Sequence, residues 1–106
     1  KMYRFKMDLE YIAQVRHEFN TEFNTMLETM RKNVNFRSQG GWRRYRDVQE
    51  MFSETKKSLD LAEHAVSKSA ASPSKKNTLN VTNRLESFNT SWHNARENAL
   101  IGILRN

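Results

Sequence analysis

The sequence predicts an all-α protein, an antiparallel up-down-up bundle of three helices with heptad packing like that of a coiled coil. Two strong breaks interrupt the 106 residues, the glycine pair Gly40–Gly41 and Pro73, and they separate three segments without β-rich runs. In each segment, apolar residues recur at steps of three and four, which is the spacing of a coiled-coil seam. A chain of this length can build one modest core. We therefore expect a single domain, 1–106.

The first predicted helix covers about residues 2–34. Its stripe of apolar residues contains Met2, Phe5, Leu9, Ile12, Phe19, Phe23, Met26 and Met30. Arg16 is the one polar residue on this stripe, and Val15 beside it can fill the gap. The residues between the stripe positions are polar or charged, as expected for the exposed face of an amphipathic helix.

The second and third predicted helices cover about residues 42–71 and 78–105. The stripe of the second contains Tyr45, Val48, Phe52, Thr55, Leu59, Ala62, Val66 and Ser69. The stripe of the third contains Val81, Leu85, Phe88, Trp92, Ala95, Ala99 and Ile103. One narrow stripe buries little alone, whereas three stripes joined by short turns can cover one another. A long dimeric coiled coil is the alternative, and the two internal breaks argue against it.

Large side chains on the three stripes are the predicted core anchors, because each buries a large apolar area. They are Phe19, Phe23, Phe52, Leu59, Leu85, Phe88 and Trp92.

The third segment resembles the third helix of a spectrin repeat. It reads VTNRLESFNTSWHNARENA, with an apolar residue, Leu, a Phe–Asn pair, Trp and small apolar residues in the order typical of that family. The second segment is similar to the second spectrin helix, with Val48–Gln49 near its start and His64 near its end. The first segment differs, because many repeats carry a tryptophan where this stripe has Ile12, Arg16 and Phe19. The resemblance implies a three-helix repeat that acts in arrays as an elastic spacer. It also implies binding sites for cytoskeletal filaments, membranes or signalling proteins.

Several function classes lack their characteristic residues. The histidines His17, His64 and His93 fall one in each segment, without the spacing of a metal site, and the absence of cysteine excludes a thiolate zinc site. Phosphate-binding loops and nucleophile motifs are also absent. We therefore predict that the protein is not an enzyme, and that it has no cofactor, no metal and no small-molecule substrate. No apolar run is long enough to span a bilayer, and we expect an intracellular protein, cytoplasmic or cytoskeletal.

The stretch FRSQGGWRRYR, which runs from Phe36 to Arg46, allows two interpretations. It is first a helix corner, with Gly40 or Gly41 at positive φ ending the first helix and with Trp42 and Phe36 closing the bundle. It is second an anion-binding corner, since residues 35–47 hold four arginines and one aspartate. In that interpretation Arg43, Arg44 and Arg46 lie on the solvent side of the second helix. The candidate contacts for an anion or a partner are Arg37, Arg43, Arg44, Arg46 and Arg105.

The C-terminal stretch ALIGILRN is more apolar than a free helix end usually is, so we expect the third helix to continue into a neighbouring element. In an up-down-up bundle this end meets the arginine cluster, where a following repeat would attach.

Two functions follow from these observations. The first is a non-enzymatic structural repeat that spaces or docks other domains and binds protein partners, cytoskeletal filaments among them. The alternative is a small basic helical protein that binds nucleic acid, or lies within a ribonucleoprotein, through Arg43–Arg46. An anionic membrane is a further partner that this corner could bind.

Overall fold

The protein is a rod of three helices. The computed structural model describes the backbone of residues 2–33 and 39–104 and the side chains of residues 9–32 and 40–104. The helices are α1 (Met2–Asn33), α2 (Gln39–Ala71) and α3 (Lys75–Leu104), and no strand occurs in these ranges. The rod measures 53 × 20 × 16 Å, so each helix runs along most of its length. The predicted all-α three-helix bundle is confirmed.

The glycine pair does not end the first helix. Gly40 and Gly41 lie in the first turn of α2, which begins three residues earlier than predicted, and neither has positive φ. The expectation of a left-handed glycine at this corner was therefore wrong. In a first turn the backbone N–H groups have no intrahelical partner anyway, so the low helix propensity of glycine does not prevent α2 from starting here.

The connection between α2 and α3 is the three-residue turn Ser72–Ser74. Ser72 N donates to the carbonyl oxygen of Lys68 at 2.9 Å, which closes α2. Ser74 Oγ accepts from the backbone N–H of Asn77 at 3.0 Å, which is the hydrogen bond of a helix N-cap. This cap explains why α3 begins at Lys75 rather than near residue 78.

The core follows the three stripes. Side chains from all three helices are buried in it, and they include Ile12, Val15, Phe19, Met30, Val48, Phe52, Leu59, Val66, Val81, Phe88, Ala95 and Ala99. The polar stripe residues Thr55 and Ser69 are also fully buried.

Phe19 occupies the centre of an aromatic cluster in this core. Its ring centroid lies within 6.0 Å of those of Phe23, Phe52, Phe88 and Trp92. Of the predicted core anchors, Phe19, Phe52, Leu59 and Phe88 are buried, whereas Phe23, Leu85 and Trp92 are partly exposed and pack against the core from its edge.

The three helices are not packed equally. α2 and α3 share the most extensive contact, and α1 and α3 share the least. Polar links tie α1 to its neighbours: Arg16 lies 2.9 Å from Asp60 and 3.1 Å from Glu63 of α2.

A second polar link joins α1 to α3, and we call it the Glu22 clamp. Trp92 Nε1 donates to Glu22 Oε2, and Arg96 Nε donates to Glu22 Oε1 at 2.9 Å. The guanidinium carbon of Arg96 lies 4.7 Å from the centroid of the Trp92 ring, in a cation–π contact. The clamp therefore crosses the helix interface that has the least extensive contact.

A search of the described helices finds none that is long and apolar enough to cross a membrane.

Candidate functional site at the basic pole

One end of the rod gathers the arginine cluster and the end of α3. A Cβ atom placed on Gly102 would lie 2.9 Å from Met30 Cε of α1 and 3.1 Å from Arg44 Cδ of α2. The last turns of α1, the first turns of α2 and the last turns of α3 therefore meet at this end. We call it the basic pole, formed by residues 28–32, 40–47 and 98–104.

Three arginines of α2 lie at the basic pole, and none of them has a carboxylate partner among the described residues. Arg43 and Arg46 are exposed, and Arg44 is half-buried with its aliphatic stem against Gly102. The expectation that all three face solvent was therefore wrong for Arg44. Within the described ranges, no carboxylate oxygen lies within 4.0 Å of any of the three guanidinium groups.

Two arginines elsewhere in the protein behave differently. Arg16 forms ion pairs with Asp60 and Glu63, and Arg96 forms one with Glu22. These two cations join helices through ion pairs, whereas Arg43, Arg44 and Arg46 form no such ion pair with the residues that the structure describes. The basic pole therefore carries three arginines that form no ion pair within the described part of the chain.

Trp42 and Tyr45 form a stacked pair beside these arginines. Their ring centroids lie 6.2 Å apart with an interplanar angle of 22°. Tyr45 packs against the core, as its stripe position predicts, and Trp42 remains 49% exposed. Phe36, the expected neighbour of Trp42 across the turn, lies outside the described residues, as do the candidate contacts Arg37 and Arg105.

Two open grooves flank the arginines. The first, of about 810 Å³, lies between α1 and α2 and is lined by Phe23, Trp42, Arg43, Arg46, Asp47, Gln49, Glu50 and Ser53. The second, of about 510 Å³, lies between α2 and α3 and is lined by Gly40, Arg43, Arg44, Asp47, Val48, Met51, Asn98 and Ile101. Arg43 lines both grooves, so its side chain is accessible from either side of α2.

Apolar side chains continue the second groove over the outer face of α3. Leu100, Ile101 and Leu104 are exposed, and Leu104 is 81% exposed, the highest value among the large hydrophobic residues described. The buried residues of these turns, Ala99 and Gly102, face the opposite way. The basic pole thus combines arginines that are unpaired within the described ranges with an apolar surface that the core does not use.

The described residues contain no group of three His, Asp or Glu side chains that could hold a metal ion.

Comparisons with known protein families, curated proteins and solved structures find no match to this chain. The fold and the basic pole therefore define the class of protein, a rod-like three-helix bundle with one cationic end. The resemblance to a spectrin repeat stays a prediction.

Proposed function

We propose that the protein is a non-enzymatic structural module, a helical spacer that holds domains apart and docks protein partners. The path of the chain along the rod carries this proposal. The chain runs along the rod three times in alternating directions. Met2, where α1 begins, and Leu104, where α3 ends, therefore lie at opposite ends of the rod. Elements attached at these two points are separated by about the long dimension of the rod, 53 Å.

A spacer must also be stiff, and the contacts between helices support stiffness. Phe19 of α1 contacts Phe52 of α2 and Phe88 of α3 in one aromatic cluster. The Arg16 ion pairs and the Glu22 clamp add links from α1 to both other helices. The partners that we propose are proteins. Cytoskeletal filaments are the first candidates, as the resemblance to a spectrin repeat implies.

Distance measurement between spin labels tests the spacer directly. The chain has no cysteine, so Glu10→Cys on α1 with Asn98→Cys on α3 provides two unique attachment points in opposite halves of the rod. From the rise per residue of an α-helix we expect one narrow distribution of distances centred at about 25–30 Å. A pair within one helix, Glu50→Cys with Ser67→Cys, gives the matched control, because its distance depends on α2 alone. A broad distribution for the first pair beside a narrow one for the control would contradict the proposal.

A further inference from the structure

We propose that the basic pole docks end-on onto a membrane surface that carries anionic phospholipid. This inference goes beyond the spacer function, since it assigns a non-protein partner to one end of the rod. It rests on two independent observations and on their contiguity: arginines that have no ion pair among the described residues, and exposed apolar residues of α3.

The arginines supply attraction to an anionic surface. Arg43 and Arg46 are one helical turn apart, both are exposed, and neither has a carboxylate within 4.0 Å among the described residues. Asp47 lines the groove between α2 and α3 together with Arg43, and it likewise forms no ion pair with any described residue. A guanidinium group binds phosphate oxygens through two parallel hydrogen bonds. Cationic side chains near an anionic bilayer are therefore attracted without first breaking an internal ion pair.

The apolar residues supply the part of the interaction that favours lipid. Leu100, Ile101 and Leu104 project from the outer face of α3 and are exposed. Aliphatic side chains beside basic ones enter the boundary between headgroups and acyl chains, which is how interfacial helices hold to membranes. Ile101 and Arg43 line one groove, so the two kinds of side chain form a continuous surface.

Nucleic acid would use the same arginines but not these leucines. Phosphate contacts account for most of the affinity of non-specific nucleic-acid binding, and an exposed aliphatic surface adds nothing to them. The location of the apolar residues beside the cations is what favours a bilayer. Trp42 lies at the same end of the rod and is 49% exposed, and tryptophan is enriched at the level of the headgroups in membrane proteins.

Co-sedimentation with phospholipid vesicles tests the inference. The whole chain is mixed with phosphatidylcholine vesicles that either contain or lack phosphatidylserine. We expect binding only when phosphatidylserine is present. We expect this binding to weaken between about 0.1 M and about 1 M salt, as the Debye length falls from about 10 Å to about 3 Å.

Matched variants locate the surface. Arg43→Gln with Arg46→Gln should weaken binding roughly 30-fold, from about fivefold for each basic residue at an anionic surface. Lys75→Gln with Lys76→Gln removes the same charge at the opposite end of the rod and should change binding by less than about threefold. Arg43→Lys with Arg46→Lys should retain most of the affinity, which separates loss of charge from loss of fold.

The apolar contribution is tested in the same way. Leu104→Ser should weaken binding by about tenfold, because it removes a side chain that would be buried in the lipid boundary. Leu79→Ser, at an exposed position of α3 near the other end of the rod, is its control. Circular dichroism of each variant checks that the bundle is intact.

Three results would overturn the inference. They are an absence of binding to phosphatidylserine vesicles, equal losses for the arginine and lysine variants, and an arginine-dependent affinity that Leu104→Ser leaves unchanged. If, in that last case, single-stranded RNA also displaces the protein from the vesicles, the partner is nucleic acid. None of these results bears on the distance between spin labels, so this inference and the spacer function fail separately.

Discussion

Glu22→Ala removes the acceptor of the clamp that joins α1 to α3. In the native protein one carboxylate accepts from Trp92 Nε1 and from Arg96 Nε. The substitution leaves a partly buried indole N–H and a guanidinium without this partner. A lost hydrogen bond to a charged group costs about 1.5–3 kcal/mol when buried, and the exposed fractions of Arg96 (36%) and Glu22 (27%) reduce it here.

We therefore expect Glu22→Ala to lower the free energy of unfolding by about 2 kcal/mol, which for a chain of this size lowers the melting temperature by roughly 10 °C. Glu22→Gln keeps an oxygen that can accept from Trp92 but loses the charge opposite Arg96, so its loss should be about half as large. Glu18→Ala, one turn earlier on α1, removes only a contact of 3.4 Å with Gln14. This matched control should lie within about 0.5 kcal/mol of the native protein.

Thermal and urea unfolding followed by circular dichroism measure these differences. A double-mutant cycle of Glu22→Ala with Trp92→Phe isolates the hydrogen bond, and we expect a coupling energy of about 1 kcal/mol. If Glu22→Ala is no more destabilising than Glu18→Ala, the clamp does not hold α1 against α3, and the apolar packing between these helices does so instead.

Two glycines give further predictions, both measured by thermal unfolding. Gly40 is helical without positive φ, and a Cβ there would meet nothing within 4 Å. Gly40→Ala should therefore raise the free energy of unfolding by up to about 1 kcal/mol. If it instead lowers this free energy by more than about 1 kcal/mol, Gly40 lies in a strained turn. At Gly102 the methyl group of alanine would displace Met30 Cε, the mobile end of a flexible side chain. Gly102→Ala should therefore stay within about 1 kcal/mol of the native protein, since gained helix propensity offsets the displacement. Gly102→Leu should cost roughly 1–3 kcal/mol by overpacking, and its toleration would show that the three helices do not meet there.

The periodicity of apolar residues was enough to predict the fold. A residue on the stripe that faces the other helices is buried even when its side chain is polar. Thr55 and Ser69 illustrate this: both are polar, both stand on the predicted stripe of α2, and both are fully buried. Thr55 Oγ1 donates to the carbonyl oxygen of Met51 at 2.8 Å, which satisfies its hydroxyl within the helix.

The helix boundaries were harder to predict, since glycine is compatible with more than one kind of helix end. A glycine pair between two helices can cap the first or open the second, and the residues around Gly40–Gly41 do not distinguish these outcomes. At the other connection the sequence did carry a signal. Ser74 follows Pro73 and is one of the residue types preferred at a helix N-cap, which agrees with the start of α3 at Lys75.

The arginine cluster could be found in the sequence, but the pairing of its members could not. Whether an arginine is neutralised depends on which carboxylates the packing brings to it from distant parts of the chain. Glu22 and Arg96 are 74 residues apart, and only the register of α1 against α3 joins them. The same packing brings no described carboxylate within 4.0 Å of the guanidinium group of Arg43 or Arg46. Their charges repel one another at the end of a helix whose own dipole is positive there, so an anionic surface that binds the basic pole also removes a local source of instability. We therefore expect the protein to melt at a higher temperature when anionic vesicles are present, by an amount that increases with lipid concentration.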